Sequence, residues 1–450
     1  MHTPRGTRIF SVIWFGQSLS MLGTAMTRFG LLIWAYDQTG RATTLALLGF
    51  FSFIVYVLAG PAAGVLVDRW DRRRVMLIAD LSAGAITASF LALYTSGNLH
   101  IWHLYAGEAL TGFFEAFQHP AYNASMSVLV PRAQLGRFNG LRSLSWDTTN
   151  ILAPVLAGLM LHSAGLRSVM LVDLGTLCAA VVTLLVVRIP RPAETSAGSQ
   201  ARALGLRHEL AFGTRYILQR PGLLGLTVIY MLIFLYAGIT YFGVLPAMIL
   251  ARSGGRELVL SSVQSALGVG GVVGGIVVTI WGGPKRKIHG VLASCAASFL
   301  AGDLLFAAGR TPEAWIAAAF ATAFFIPFMT SAQRSLWQSK VPLDIQGRVL
   351  AAAFAWGQVT RPLGYLLAGP LADQVFEPAM QSGGALTGIF GGLVGTGPGA
   401  GMGLMFFFTA MLGSASCLGA YLFAPLRTID TTLPDYDAAP ALALDGSAAD

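Results

Sequence analysis

The sequence predicts an all-α membrane protein in which twelve transmembrane helices form two bundles of six. Of its 450 residues, 55% are hydrophobic and only 11% are charged, and the mean hydropathy is +0.65. Soluble proteins carry about 25% charged residues, so most of this chain must face lipid or other apolar helices. Its apolar residues fall into segments of about 20 residues, the length that crosses a bilayer. The second half of the chain also repeats features of the first.

Twelve apolar segments alternate with polar connections. We place the spans near residues 9–36, 43–66, 75–95, 101–128, 143–162, 168–187, 223–250, 258–281, 288–308, 313–339, 349–371 and 400–424. The first apolar run is too long for a cleavable signal peptide and lacks a small-residue cleavage site. We therefore expect it to be the first membrane helix.

The basic residues are distributed unevenly between the two sides of the predicted bundles. Of the 29 Lys and Arg residues, 21 lie in segments on the side of the N-terminus and five lie on the other side. Short loops rich in Lys and Arg remain in the cytoplasm. We therefore expect both termini to be cytoplasmic and the chain to be a multi-pass protein of the bacterial plasma (inner) membrane. The net charge of +8 reflects this orientation, and no nucleic-acid partner is expected.

The two halves align at an offset of about 211 residues, which pairs Gly64 with Gly275 and 121–131 with 332–342. Two parallel repeats of six spans are typical of a transporter whose bundles move against each other. An amphipathic helix is expected near 203–218, and the acidic end of the chain is expected to be disordered. The predicted domains are an N-terminal bundle (1–187), a cytoplasmic linker with this helix (188–222), a C-terminal bundle (223–427) and the tail (428–450).

Signatures of catalysis or metal binding are missing from the sequence. The three cysteines lie singly in apolar spans and the seven histidines show no ligand spacing, so we expect no metal, cofactor or disulfide. The glycines of Gly268–Gly275 lie within a predicted span, with no strand before them, and do not form a dinucleotide-binding loop. We therefore predict that the chain is not an enzyme.

Charged side chains at membrane depth are the best candidates for a functional site, because each costs roughly 2.5–3.5 kcal/mol there unless it is paired or hydrated. Glu108 and Glu115 are seven residues apart on span 4 and share one face of the helix. Asp147 lies in span 5, Arg361 near the middle of span 11, and Arg28 in the outer half of span 1. We expect these five residues to line a central cavity for protons and substrate.

An acid in such a cavity can load a proton on one side of the membrane and release it on the other. Glu115 and Asp147 are the first candidates for this role, followed by Glu108, with Arg361 as a counter-charge or an anchor for an acidic group on the substrate. The alternative is a set of static ion pairs that lock the helices together. Three further acids nearer the span boundaries are expected to be structural: Asp80, Asp173 and Asp303.

Spans 2 and 3 are joined by Gly60–Arg74, with the sequence GPAAGVLVDRWDRRR. Its pattern G-(x)3-G-(x)3-D-R-(x)2-R-R resembles the loop between helices 2 and 3 of the major facilitator superfamily of secondary transporters. The resemblance implies the major facilitator fold and a cytoplasmic gate that links the halves when the cavity faces outward. The matching gate residues are Gly60, Gly64, Asp68, Arg69, Arg72 and Arg73. The alternative is that the basic residues only set the topology.

Span 5 carries Pro154 and Gly158, which resemble the Pro-(x)3-Gly element of the family's antiporters, although a proline and a glycine that serve only packing would look the same. Segments such as 22–39, 114–122 and 130–131 resemble the macrolide-efflux and enterobactin-exporter branch, over about residues 8–427. This resemblance implies a monomeric, proton-driven exporter of hydrophobic or amphipathic small molecules, in contact with membrane lipids. A dedicated siderophore or peptide-metabolite exporter remains open, as does, in another class, a lipid flippase or a non-transporting receptor.

Overall fold

The computed structural model describes residues 4–131, 134–187 and 206–436, and all regular secondary structure in these ranges is helical. Lipid offers the backbone no hydrogen-bonding partner, so a chain that crosses a bilayer in single segments must be helical. Nine helices in the described ranges are long and apolar enough to cross a membrane by length and composition.

The N-terminal half contains spans 1–6. The first four are α1 (Pro4–Thr39), α2 (Ala42–Arg69), α3 (Arg72–Thr95) and α4 (Ile101–Leu129). The element Leu135–Val186 is two helices, α5 (135–164) and α6 (166–186), because Gly165 between them has φ 76° and ψ 175°. Glycine adopts this conformation readily, and a residue with a Cβ does not. The chain therefore reverses direction here without a polar loop.

The C-terminal half supplies the other six spans. Its helices are α7 (Leu206–Leu218), α8 (Pro221–Ser253), α9 (Glu257–Trp281), α10 (Lys287–Ala308), α11 (Pro312–Lys340), α12 (346–380), α13 (Thr387–Val394), α14 (Ala400–Leu422), α15 (Ala424–Arg427) and α16 (Ile429–Thr432). Spans 7–12 are α8–α12 and α14. Counting 135–186 as two spans and adding α4 and the interrupted α12 gives twelve in the described chain, which confirms the predicted fold class.

The two halves contact each other near one membrane face. We call the face at which α2 ends and α3 begins the basic face, and the other the opposite face. Near the opposite face α2 packs on α12, where a Cβ at Gly49 would lie 2.3 Å from the ring of Tyr365. α5 packs on α9, where a Cβ at Gly158 would lie 2.9 Å from Ser261. These contacts close the opposite face.

Towards the basic face the halves separate. A Cβ added at Gly60 or Gly64 of α2 would have no atom within 4 Å. On α9, Gly271 and Gly275 are equally free, and the side chain of Ile280 is 82% exposed. In the described part of the chain, the space between the two halves therefore opens at the basic face, and we call this space the cavity.

The tail is folded further than the sequence predicted. Lys340 is buried, and its Nζ donates to the carbonyls of Asp430 (2.6 Å) and Leu433 (2.7 Å) and pairs with Asp435 (2.9 Å). The Asp430 carboxylate accepts two N–H groups from the start of α10. The prediction that disorder begins at residue 428 was therefore wrong for 428–436, because Lys340 needs these acceptors. Residues 437–450 lie outside the described ranges.

The glycine-rich connection between spans 11 and 12, 373–400, is also largely ordered. α12 continues to Met380, and α13 follows. Arg252 of α8 donates to the carbonyls of Gly309 (2.8 Å), Val394 (3.0 Å) and Gly399 (3.1 Å). These bonds hold the connection over the end of the C-terminal half.

The linker helix α7 packs on α12. A Cβ at Gly213 would lie 2.5 Å from the carbonyl oxygen of Arg348, and Trp356 Nε1 donates to Thr214 (3.1 Å). Within the described part of the linker, the helix therefore belongs to the C-terminal half. The first part of the predicted linker, 188–205, is outside the described ranges.

Candidate functional site

Arg28 of α1 binds two glutamates of α4. Its Nη1 lies 2.9 Å from Glu115 Oε1 and its Nη2 lies 3.4 Å from Glu108 Oε2. Nη2 also donates to Ser52 Oγ of α2 at 3.4 Å. The side chains of Arg28, Glu108 and Glu115 remain 34%, 17% and 29% exposed. The cluster is therefore partly desolvated but can be reached from the cavity.

Local sequence explains why these groups meet. Residues seven apart on a helix lie on the same face, so Glu108 and Glu115 can bind opposite sides of one guanidinium. Between them, Gly112 lets α4 approach α2 closely, since a Cβ there would lie 2.1 Å from the carbonyl oxygen of Ser52. This approach places Ser52 beside Arg28. One cation and two carboxylates give the cluster a formal charge of −1 when all three are ionised.

Arg361 lies elsewhere and has a different environment. Its Cζ is 3.6 Å from the ring centre of Phe242 on α8 and 4.3 Å from that of Phe53 on α2. Its Nη2 donates to Tyr365 Oη at 3.3 Å. A guanidinium over aromatic faces is a favourable cation–π arrangement. In this conformation Arg361 therefore joins the two halves by contacting one aromatic ring from each. The counter-charge of the two glutamates is Arg28, not Arg361.

Asp147 also lies apart from the cluster. It is partly exposed on α5, about 18 Å along the helix from Leu135 and one turn before Ile151, which contacts α9. It makes no ion pair or hydrogen bond with another described residue. Pro154 and Gly158 of the same helix lie nearer the opposite face, with Gly158 against α9. The structure thus brings together three of the five predicted cavity charges, and leaves Asp147 and Arg361 outside that group.

At the basic face, the predicted gate arginines bind helix ends of their own half. Arg73 donates to the carbonyls of Leu184 and Leu185 at the end of α6, both at 2.6 Å, and Arg72 Nη1 donates to the carbonyl of Ala124 at 3.2 Å. The side chains of Asp68 and Arg69 lie outside the described part of the chain. Gly60 and Gly64 face open space. The gate role of these residues therefore stays a prediction.

A contact that sequence reasoning missed closes the opposite face. Asp373 of α12 accepts hydrogen bonds from the N–H groups of Ala42 (3.0 Å) and Thr43 (2.9 Å) and from the hydroxyl of Thr43 (2.6 Å). A carboxylate satisfies the free N–H groups and the positive dipole end of a helix. Arg41 at the N-cap of α2 offers no acceptor and makes no capping bond, so Asp373 takes the place of a local cap.

A second contact lies between α5 and α9. His162 Nδ1 is 3.1 Å from Glu257 Oε1. His162 and Asp373 are separated by the offset of the internal repeat, so the two contacts occupy related positions in the two halves. We call Asp373 with the start of α2, together with His162 and Glu257, the opposite-face latch.

Asp373→Ala is expected to shift the protein towards the conformation that opens the opposite face. The change leaves two N–H groups and one hydroxyl without their acceptor, and losing a cap of this kind costs about 1–2 kcal/mol, which is about 5- to 30-fold in a two-state equilibrium. Spin labels at Arg41→Cys and Gln381→Cys, in a Cys178→Ala background, measure the separation of the two helix ends. We expect a longer distance to gain population.

The matched control is Asp344→Ala, which removes an exposed aspartate from the connection before α12 on the basic face. Its distance distribution should equal that of the wild type. An unchanged distribution in Asp373→Ala would contradict the role given to the latch.

The three acids expected to be structural are all buried among neutral donors. Asp80 accepts from Gln17 (2.7 Å) and Gln118 (2.6 Å). Asp173 accepts from Thr24 (3.1 Å) and Thr87 (2.9 Å). Asp303 is bound by Tyr241 and Thr409. In the described residues, none of the three forms an ion pair.

Two bundles of six spans, a central cavity open at one face and charged groups at its closed end define a secondary transporter of small molecules. The sequence matches the model of the Major Facilitator Superfamily over residues 13–365. The chain belongs to this superfamily. It is therefore a multi-pass membrane transporter of small molecules, and the expectation that it is not an enzyme is confirmed.

Similar proteins confirm the predicted macrolide-efflux branch. The chain is 26% identical to macrolide efflux protein A of Streptococcus pyogenes over 375 residues, covering 81% of this chain and 90% of that protein. It is 27% identical over 330 residues to macrolide efflux protein A of Enterococcus faecalis, covering 71% and 98%. Identity to the multidrug efflux pump Tap of Mycolicibacterium fortuitum is 23% over 382 residues, covering 83% and 90%.

Solved structures agree on the fold. The nucleoside transporter NupG matches with a TM-score of 0.65 at 12% identity, covering 92% of this chain and 99% of that chain. A bacterial homolog of the human lysosomal transporter Spinster, solved in an inward-facing and unoccupied conformation, matches with a TM-score of 0.65 at 14% identity, covering 95% and 98%. At such low identity these matches establish the architecture alone.

Proposed function

We propose that this protein exports hydrophobic or amphipathic small molecules from the cytoplasm in exchange for protons. The observation that carries the proposal is the cluster of Arg28, Glu108 and Glu115 at the closed end of a cavity. The names of the macrolide and multidrug efflux relatives support the substrate class. Macrolides are large amphipathic molecules, and a cavity between two bundles can admit them from the cytoplasm or the inner leaflet.

The orientation follows from charge. The basic face holds 21 of the 29 Lys and Arg residues in its connecting segments, so it is the cytoplasmic face of the bacterial plasma membrane. The conformation described here is then inward-facing, with the latch closing the external side. Both termini lie in the cytoplasm, and one monomer contains a complete cavity.

Proton exchange follows from the charge balance of the cluster. Arg28 can neutralise one carboxylate, and the second leaves the cluster with one negative charge that a proton or a cationic group of the substrate can balance. Glu115 is the more exposed of the two glutamates and is the group that loads and releases it. A substrate that enters from the cytoplasm competes with this proton, because both occupy the same site.

Alternating access requires the opposite-face latch to open as the basic face closes. Gly60 and Gly64 of α2 are small enough to let this helix approach α12, and Arg72 and Arg73 lie beside them at the helix ends. Arg361 would lose the ring of Phe53 when the halves rotate, since that ring and Phe242 belong to different halves. Pro154 and Gly158 mark the segment of α5 that slides along α9, the position of the family's antiporter element.

The experiment that tests this function is drug accumulation in a bacterial host that lacks its own efflux pumps. Cells that express the protein should accumulate less erythromycin and survive higher concentrations than cells with an empty vector. A protonophore that collapses the proton gradient should abolish the difference. Erythromycin extrusion that continues unchanged after collapse would exclude proton antiport.

A dedicated metabolite exporter would protect against none of a panel of drugs, and its natural substrate would accumulate in the producing cells when the gene is deleted. A receptor would leave accumulation unchanged, and a flippase would move fluorescent phospholipids between the leaflets of proteoliposomes. Each of these outcomes is distinct from drug extrusion that depends on the proton gradient.

A further inference from the structure

A buried polar cluster in the C-terminal half is separate from the proposed coupling site. Asp303 of α10 is fully buried. Tyr241 Oη of α8 forms a hydrogen bond with its Oδ1, and Thr409 Oγ1 of α14 lies 3.3 Å from its Oδ2. Thr322 Oγ1 of α11 lies 2.7 Å from Tyr241 Oη. Four helices thus contribute one carboxyl and three hydroxyl groups to a site inside the bundle.

The backbone around this site is specialised. Asp303 ends the π-helical turn Phe299–Asp303, and Tyr241 lies in the π-helical turn Thr240–Val244. Such turns interrupt α-helices mostly as single insertions and occur frequently at functional sites. A Cβ at Gly302 would lie 1.6 Å from Thr322 Oγ1, so only glycine lets α10 and α11 come this close. Two irregular turns and one glycine position the four groups.

The cluster can be satisfied in both protonation states of Asp303. When the carboxylate is ionised, Thr322 donates to Tyr241 Oη and the phenol donates to Asp303. When Asp303 carries a proton, its O–H donates to Tyr241 Oη and the phenol donates to Thr322 Oγ1, because a hydroxyl both donates and accepts. The proton can bind or leave without movement of any of the three oxygens.

No cation in the described residues balances an ionised Asp303. A buried carboxylate without a cation is strongly disfavoured, and no described Lys or Arg forms an ion pair with Asp303. The titratable groups that face it are Tyr241 from α8 and, further along α10, Cys295. α11 and α14 contribute only the hydroxyls of Thr322 and Thr409. In the sealed conformation the group therefore holds its proton, and it can release it only where water reaches the cluster.

The site is also connected to the contact between the halves. Tyr241 is followed by Phe242, whose ring centre is 3.6 Å from Arg361 Cζ, and Arg361 contacts Phe53 of the other half. Adjacent residues of one π-helical turn therefore touch Asp303 on one side and the contact between the halves on the other. A change in the turn would alter both.

We propose that Asp303, with Tyr241 and Thr322, is a second proton-binding site, located in the C-terminal half and loaded from the external side. The proposal rests on the proposed function, since it adds one proton to the antiport cycle that the N-terminal cluster drives. The carboxyl group of Asp303 binds the transported proton, and Tyr241 positions this carboxyl group. The exchange is then two protons for each substrate molecule.

The test uses purified protein in proteoliposomes, with the membrane potential held at zero and a pH difference of one unit imposed. Each coupled proton multiplies the attainable erythromycin gradient by about tenfold per pH unit. We expect a limiting gradient of about 100-fold in the wild type and about tenfold in Asp303→Asn. Protein-free vesicles correct for passive distribution. An equal gradient in wild type and Asp303→Asn would overturn the proposal.

A readout without substrate separates failure of this proposal from failure of the proposed function. Infrared difference spectra of the wild type between acid and alkaline pH should contain a protonated-carboxyl band that is missing in Asp303→Asn and displaced in Tyr241→Phe. If Asp303→Asn does not fold, the Tyr241→Phe spectrum decides, because that variant retains the carboxyl group. A carboxyl spectrum identical in wild type and Tyr241→Phe would overturn the proposal. A wild type that forms no gradient would refute proton antiport itself.

Discussion

Glu115→Gln is expected to weaken export driven by a pH difference strongly while leaving exchange of substrate across the membrane intact. Glutamine keeps the shape of the side chain and can still accept from Arg28, but it binds no proton. Coupling between two ligands is typically worth about 1–3 kcal/mol, or about 5- to 150-fold, so we expect uphill erythromycin transport to fall at least about tenfold. Two activities are measured in proteoliposomes: uphill transport of erythromycin, and exchange of labelled for unlabelled erythromycin.

Glu313→Gln is the matched control for this variant. Glu313 lies in the first turn of α11 and is fully exposed, so its replacement removes the same charge far from the cavity. Its uphill transport and exchange should both equal those of the wild type. If Glu115→Gln retained full uphill transport, the cluster would be a static ion pair. Loss of both activities would indicate misfolding, which a thermal unfolding curve would reveal.

Gly64→Leu is expected to trap the protein in the conformation described here. In this conformation a Cβ added at position 64 has no atom within 4 Å, so we expect stability to be nearly unchanged. Closure of the basic face would bring α2 towards α12. Phe354 lies on the same side of α12 as Tyr365, three helical turns earlier, and its side chain is 65% exposed. Overpacking such a contact costs about 1–3 kcal/mol, and tenfold in population corresponds to about 1.4 kcal/mol. Export should therefore fall by about tenfold or more.

The control is Gly175→Leu, because Gly175 of α6 is exposed and also has no atom within 4 Å of an added Cβ. Both variants should unfold at the wild-type temperature, and only Gly64→Leu should lose export. In Gly64→Leu, spin labels on the ends of α2 and α12 at the basic face should show only the long distance of the conformation in which this face is open. Full export by Gly64→Leu would mean that α2 does not approach α12 in the transport cycle.

The spans were predictable because lipid imposes the same requirement on every one of them. Length and hydrophobicity located all twelve, and the connection at Gly165 lay between the predicted ends of spans 5 and 6. Glu108 and Glu115 were placed on one face of α4 by their spacing. The sequence could not show which charge they meet, since Arg28 is 80 residues away from Glu108. We had expected Arg361 to be the counter-charge.

The polar contacts at the ends of helices were the hardest to predict. Lys340 binds main-chain carbonyls of the tail, and Arg252 binds main-chain carbonyls of the 373–400 connection. A main-chain acceptor has no sequence signature, so both segments looked like unstructured loops. The contact of Asp373 was missed for a related reason, since the residues it caps are 330 and 331 positions away.

The most direct test of the coupling cluster is the release of protons when substrate binds. Erythromycin is added to the purified protein in weakly buffered detergent solution, and a pH-sensitive dye counts the protons released. Because substrate and proton compete for the carboxylates beside Arg28, we expect about one proton per bound molecule from the N-terminal cluster. Glu115→Gln should still bind erythromycin but release none from this cluster. Equal proton release by wild type, Glu115→Gln and Glu108→Gln would contradict the account.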